Sequence, residues 1–364
     1  MEKVFDAHIH HLLKVPMNRA VGILQREFEQ TGTEGGCFLS VPHEAGPDGI
    51  VHTEHLQNLK MLFFKHVFGE NHYAFAGLMH PSDYTDRKAI KKDFLRQAEE
   101  YLSVGFDGIK MLEGYPSLLK ARGFGLDDEI FDDFYAFMEK NGHPIIIHFA
   151  NPAENWDREK ASPHAIMAGR VYDGTYPTKD EISAEVFRVL DKFPRLRLAA
   201  AHFGFFMGEK QNAERFLGAY PNTYFDITPG GEQFFKMLED WEYWHGFLLR
   251  YRNRIFYGTD FYAFSDADEE TWKTLFLRRP RLIRQFFETD TEHDYMGNPF
   301  RGVALEKPLR DRIYRENAKH FLNPRTPVDK AYLVREAERL TLVPNKESPF
   351  ADEDLAFILD TLKA

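Results

Sequence analysis

Short runs rich in β-branched and aromatic residues alternate along this chain with longer stretches in which apolar residues recur three and four positions apart. The short runs predict strands at 4–8, 36–41, 73–79, 108–112, 145–149, 196–202, 223–227 and 254–259. Between them the periodicity predicts helices, clearest over 86–103, 128–141 and 179–193. The local punctuation agrees. Asn141-Gly142-His143-Pro144 stops one helix ahead of a strand, and Pro177-Thr178 opens another with Glu181 placed for a capping box. Eight strands separated by helices predict an α/β chain folded as a (β/α)8 TIM barrel, with a doubly wound open sheet as the competitor.

Such a barrel needs about 250 residues, so a chain of 364 has length left over for insertions. The surplus falls in loops that follow strands, at 42–51, 150–178 and 261–308. Loops in that position line the active face of a barrel. The third, with Tyr295, Met296, Asn298 and Phe300 near its tip, is expected to fold over the catalytic mouth as a lid that decides substrate choice, with an outer clasp as the alternative. Trp272, Leu275, Phe276, Leu282 and Ile283 suit the clasp because they suit burial. Helical patterns at 328–340 and from 352 onward predict a short C-terminal extension (325–364) packed on a barrel domain (1–324). No repeat or low-complexity tract marks a further domain.

Composition narrows the class. Hydrophobic residues make up 43% of the chain, with 34 Phe, enough for a large core. The net charge of −11 without a basic cluster argues against a nucleic-acid partner. The single cysteine, Cys37, excludes an internal disulfide framework and a cysteine-rich metal site. No apolar run approaches the roughly 18 residues that span a bilayer, and the first residues lack a signal-peptide core. The expectation is therefore a cytoplasmic protein with a small-molecule partner and no membrane partner. A homo-oligomer is compatible with all of this.

The candidate chemistry sits at strand ends. Because side chains alternate along a strand, His8 and His10 share one side, at a spacing that lets two imidazoles hold one ion. His148 follows Ile145-Ile146-Ile147, His202 follows Ala199-Ala200-Ala201, and Asp260 follows Tyr257-Gly258-Thr259. In a barrel, strand C-termini converge on one face, so these residues would meet around a common centre. Neutral imidazoles and a carboxylate make an N/O set suited to Zn²⁺, with Mn²⁺, Fe²⁺ or Ni²⁺ as alternatives.

With His-x-His, His, His and Asp in order across strands one, five, six and eight, the chain resembles the amidohydrolase superfamily. Within it, the similarity is to the amidohydrolase-2 family, whose members include aminocarboxymuconate-semialdehyde decarboxylase, γ-resorcylate decarboxylase and a pyrone-dicarboxylate lactonase. The resemblance spans 5–322 and includes Ile313-Tyr314-Arg315-Glu316-Asn317-Ala318-Lys319-His320-Phe321, which looks like the helix after the last strand in that family. It implies a metal held by His8, His10, His148 and Asp260, with His202 as acid/base or as ligand to a second ion. Lys110, ending the fourth strand, would be a carboxylated bridge between two ions, a substrate contact, or a lysine paired with Glu113. One ion is favoured over two. The implied activity is hydrolysis of a small carboxylated amide, ester or lactone by metal-activated water. The alternatives are nonoxidative decarboxylation of a carboxylated aromatic or unsaturated acid, and a non-catalytic scaffold with a structural ion.

Other residues rank lower. Cys37 reads as buried and inert. His80, at the close of strand three, would face the pocket or cap a turn. His52, His55 and His66 read as one helix face. Arg158 and Arg170 would grip a substrate carboxylate or make surface ion pairs. Trp156, Phe205, Phe206 and Tyr262 are candidate pocket walls.

Overall fold

The computed structural model describes residues 1–363 except 13–14, 47–48, 53–54, 229–230, 264–268 and 345–346. The side chains of 11–12, 45–46, 49–52, 231–232, 262–263, 269–273 and 275 also lie outside the described part. All eight strands expected from the sequence are present as one parallel barrel sheet: β1 (Val4–Leu12), β2 (Thr33–Leu39), β3 (His72–Gly77), β4 (Gly108–Gly114), β5 (Ile145–Phe149), β6 (Leu198–Ala200), β7 (Thr223–Asp226) and β8 (Ile255–Phe256). Each pairs with its sequence neighbours in turn. Closure comes from β9 (Phe261–Ala263), which continues β8 after a four-residue break and pairs with β1. Within the break the Ala7 N–H donates to the Tyr257 carbonyl at 3.1 Å.

The interior is packed. Phe5 and Ala7 from β1 touch a cluster that includes Cys37 and Leu39 of β2, Phe75 of β3, Ile146 of β5, Ala199 of β6 and Phe256 of β8. Residues of six strands can meet only inside the barrel. Phe321, from the helix Asn317–Phe321, closes one end of this layer against Tyr224 and Phe256, with ring centroids 5.1 and 5.3 Å away. Cys37 is wholly enclosed there and burial pushes its thiol well up, which makes it inert. A bulge in β1 then changes the inward parity. Three steps along β1, from Asp6 to Ile9, match two along β2, from Gly36 to Phe38.

The helices surround the sheet as the periodicity predicts. Asp86 caps the helix Arg87–Val104, and Thr178 and Glu181 complete the capping box that opens Lys179–Lys192. One expectation needs correction, the placement of His52 and His55 on a helix face. The loop after β2 contains a hairpin, His43–Gly46 paired with Gly49–His52, so His52 lies on a strand and His55 precedes the helix Gln57–Phe68. Alternating polar and apolar residues over only four positions were too short to read as strands.

The excursion after β9 is mostly the helix Glu269–Glu288 followed by the hairpin Glu292–Tyr295/Asn298–Arg301. Along this helix Arg279 reaches Asp260, whereas Arg284 donates to the carbonyls of Glu2 and Thr31, beside the starts of β1 and β2. The helix therefore leads away from the strand ends. Phe300 of the hairpin is buried against Phe286 and Phe235, so among the described residues the hairpin packs as the clasp reading expects. Met296, at its tip, is 65% exposed.

The C-terminal helices Lys330–Thr341 and Ala351–Lys363 pack into the same core as the barrel helices through Leu333, Leu340, Leu355 and Ile358. No helix among the described residues is long and apolar enough to cross a membrane. Asp354 ties the last helix down. Its Oδ1 accepts from the Met17 N–H at 2.7 Å, and its Oδ2 lies 2.6 Å from Nζ of Lys60, with both side chains 1% exposed. Replacing Asp354 by Ala removes the carboxylate that faces this buried ammonium, and the expected loss is about 3–5 kcal/mol in urea unfolding. A loss under about 1 kcal/mol would show that this tie does not hold the extension.

Candidate metal centre

The bulge in β1 is built around Asp6. Its Oδ1 accepts from the His8 and Thr259 N–H groups at 3.1 and 3.0 Å, and its Oδ2 accepts from the Thr259 hydroxyl at 2.6 Å. Burial raises its pKa to about 7 despite these bonds. Asp6 thus joins the end of β1 to the break in β8. Gly258, within that break, is required by closeness: a Cβ there would lie 2.8 Å from Thr228 Oγ1 and 2.9 Å from the His8 Cβ.

Three sequence-predicted ligands come together. His8 Nε2 lies 3.0 Å from His10 Nε2 and 3.6 Å from Asp260 Oδ1, and His10 Nε2 lies 3.3 Å from the same oxygen. Metal bonds of about 2.0–2.2 Å in tetrahedral geometry require ligand-to-ligand edges of roughly 3.3–3.5 Å, so these three atoms fit one ion. The other ring nitrogens fix the tautomers. His8 Nδ1 faces Asp226 Oδ2 at 2.7 Å, and His10 Nδ1 faces the Leu39 carbonyl at 2.9 Å. Both acceptors demand an Nδ1–H, which leaves an Nε2 lone pair on each neutral ring, aimed at the other. A cation between them resolves that repulsion.

Electrostatics keep the donors in metal-binding form. Burial, with Lys110 and His10 nearby, holds His8 well below the usual imidazole pKa. Burial alone would raise Asp260, but Arg279, the contact with His10, and His202 and His8 together hold it well below the usual carboxylate range. Arg279 Nη1 donates to Asp260 Oδ2 at 2.8 Å. Asp260 itself sits at φ +52°, a left-handed backbone that costs a non-glycine residue about 1–3 kcal/mol.

The remaining expected residues divide. His202 lies beside the ligands, its ring centroid 5.4 Å from that of His8. Its N–H donates to Asp226 Oδ1 at 2.7 Å and its Nδ1 faces the Thr228 carbonyl at 3.3 Å, so Nε2 carries the lone pair. Burial depresses its pKa to about 4. His148 packs on His202 at 4.8 Å between ring centroids, and its Nε2 faces the Ala150 carbonyl at 3.2 Å. It stands outside the close three-ligand group. Lys110 is buried, its Nζ makes no hydrogen bond among the described residues, and desolvation lowers its pKa to about 8. No hydrogen bond to Glu113 forms.

Phe205 stacks on His202 at 5.1 Å and touches His148 at 5.5 Å, a wall of the site, whereas Phe206 is core. Arg170 lies over the Tyr115 ring at 6.0 Å, and that ring meets His148 at 5.3 Å. Trp156 holds its own loop, donating to the Pro177 carbonyl at 3.0 Å and packing on Tyr172, and Arg158 is exposed. His80 is buried with His43 and Glu113 in a second group. The Tyr262 side chain lies outside the described residues.

Sequence reasoning missed Asp226 and Arg279. Asp226 carried a usable signal, being another polar residue that ends an apolar strand. Arg279, in mid-helix beside Arg278, carried none.

Residues 6–323 match the family model described as amidohydrolase, and the chain belongs to that family. Among solved structures it is similar to an uncharacterised TIM-barrel protein from Bordetella bronchiseptica, at 12% identity over 88% of this chain and 98% of the other, with a TM-score of 0.54. It is also similar to a probable 2-pyrone-4,6-dicarboxylic acid hydrolase from Acinetobacter baumannii with citric acid bound (10% identity, 88% and 99% covered, TM-score 0.51). A third similarity is to 4-oxalomesaconate hydratase from Rhodopseudomonas palustris (13% identity, 93% and 98% covered, TM-score 0.50). At these identities the likeness establishes the barrel fold. No curated protein is matched by sequence.

If Asp226 sets the tautomer of His8, Asp226→Asn weakens divalent-ion affinity about 10- to 100-fold without unfolding the chain. Competition with a chromogenic chelator measures this, and unchanged affinity would remove Asp226 from the metal centre.

Proposed function

We propose that this chain is a metal-dependent hydrolase acting on a small carboxylated amide, ester or lactone. The observation that carries the proposal is the set of three ligand-to-ligand edges, 3.0, 3.3 and 3.6 Å, between His8, His10 and Asp260 at the strand ends of the barrel. His148 is the proposed fourth ligand, one ring beyond, and a borderline ion such as Zn²⁺ or Mn²⁺ suits the N/O set. When bound, such an ion acidifies water and polarises an oxygen of the substrate.

The protein supplies the rest. Asp260, held ionised and steadied through Oδ2 by Arg279, is the acceptor for the proton of the attacking water. His202 presents Nε2 because its Nδ1 is committed to the Thr228 carbonyl, and it passes the proton to the leaving group. Phe205 covers His148 and His202 on one side and limits solvent there. The Lys110 ammonium has no hydrogen-bond partner among the described residues and therefore gains from an anionic oxygen, which supports a carboxylated substrate. Arg170, through its place at Tyr115 beside His148, is a second group for that carboxylate.

A panel of lactones, amides and esters bearing carboxylates, assayed beside carboxylated aromatics with metal-loaded protein, tests the reaction. Hydrolysis of the first group is expected. Release of CO₂ from the second with no hydrolysis of the first would replace the proposal by a decarboxylase, and inertness toward both would favour a scaffold. Within the active panel, Asp260→Asn is expected to lower turnover by more than about a hundredfold in protein shown to carry metal. Near-normal turnover in that variant would move the proton transfer to His202.

A further inference from the structure

We propose that His43, His80 and Glu113 form a second divalent-ion site, separate from the first and built into the barrel mouth between β2, β3 and β4. The three residues come from different places: the root of the hairpin after β2, the turn after β3, and the end of β4. Their candidate ligand atoms all lie within 4.8 Å of one another. His80 Nε2 lies 2.9 Å from Glu113 Oε1, His43 Nε2 lies 3.9 Å from it, and the two ring centroids are 4.3 Å apart. The two edges to Glu113 Oε1 lie on either side of the roughly 3.3–3.5 Å edge of a tetrahedral ion, so modest side-chain shifts bring the three atoms around one ion.

Burial makes this more than a coincidence of polar groups. His43, His80 and Glu113 are 2%, 3% and 0% exposed. Glu113 Oε2 is enclosed and has no hydrogen-bond partner among the described residues, although Arg122 and Lys110 interact with Glu113 electrostatically. Arg122 donates from Nη2 to the Glu113 main-chain carbonyl at 2.9 Å, and Lys110 Nζ makes no hydrogen bond among the described residues. An enclosed carboxylate oxygen left bare is costly, and a shared cation is the remedy that the two imidazoles make available. The Tyr84 hydroxyl engages His80 Nδ1 and fixes the ring, as outer partners of metal-bound histidines do.

Two imidazoles and one carboxylate, with no thiolate, define the same class of borderline ion as the first site. Arg122 opposes a cation, so this site is the weaker of the two and its ion leaves first in chelator. Filling it anchors the root of the hairpin His43–Gly46/Gly49–His52 to the barrel. The inference does not depend on the reaction proposed above.

Metal counting tests it. The full chain is dialysed against excess Zn²⁺, desalted, and analysed for zinc per chain. Two ions are expected in the unaltered protein, one in His43→Asn/His80→Asn, one in His8→Ala/His10→Ala, and none in the fourfold variant. Lys110→Met is expected to keep two, which separates this site from a lysine-bridged pair at His8 and His10. Saturation of the unaltered protein at one ion, two ions in His43→Asn/His80→Asn, or loss of the second ion in Lys110→Met would each overturn the proposal. Should the double variant not fold, Glu113→Gln is read by Co²⁺ absorption in the visible range. About half of the absorbance of the unaltered protein is expected, and full absorbance would overturn the site.

Discussion

Two imidazole lone pairs held 3.0 Å apart inside a protein are a constraint that everything around them must satisfy. Water would relieve the repulsion on a surface, but His8 is wholly buried. Protonation would also relieve it, yet burial holds His8 well below the usual imidazole range. The Asp226 carboxylate and the Leu39 carbonyl then place the proton of each ring on Nδ1. A cation is the solution that the proposed metal centre supplies, with Asp260 providing the negative charge that offsets it. The case for a metal at the proposed centre thus comes from the hydrogen bonds behind the candidate ligands as much as from those ligands.

The backbone bears the strain of that arrangement. Ala150, His202 and Asp260 all have positive φ, and each lies at or just beyond the end of a barrel strand. His202 to Phe205 form four consecutive left-handed residues, including two phenylalanines that have no steric licence for it. Such conformations persist where the surroundings over-determine them. Here they do: the His202 N–H is fixed by Asp226, Phe203 is stacked on Phe225, and Arg279 clasps Asp260. The strain turns side chains that would run along a strand into the mouth of the barrel.

The barrel was legible because buried parallel strands advertise themselves as apolar runs, as Ile145-Ile146-Ile147 does, and because helix caps such as Thr178 with Glu181 are local in sequence. His8 and His10 were legible through the two-residue period of a strand. What remained hidden depends on contacts between distant residues. Asp226 meets His8 across 218 positions, and Arg279 reaches Asp260 from the interior of a helix that looks like any amphipathic helix. His43, His80 and Glu113 come from a hairpin, a turn and a strand end that are far apart in sequence, and no spacing rule links them. The bulge at Asp6 was invisible for another reason: parity predicts that Asp6 shares a face with His8 and His10, whereas the bulge lets Asp6 serve the backbone of β8 instead.

Three aspartates at this mouth show how environment divides labour among identical side chains. Asp6 accepts only from hydroxyl and N–H donors, and burial dominates, so it is pushed to about 7 and acts as a structural hydrogen-bond acceptor. Asp226 is also raised by burial, with His202 and Lys110 pulling the other way, and it is committed to holding His8 and the His202 backbone. Asp260 alone has a guanidinium in direct contact and is driven well below the usual range. Of the three, it alone combines secure ionisation with an oxygen facing both His8 and His10. Charge placement, and not residue type, therefore marks Asp260 as the aspartate suited to the proposed ion.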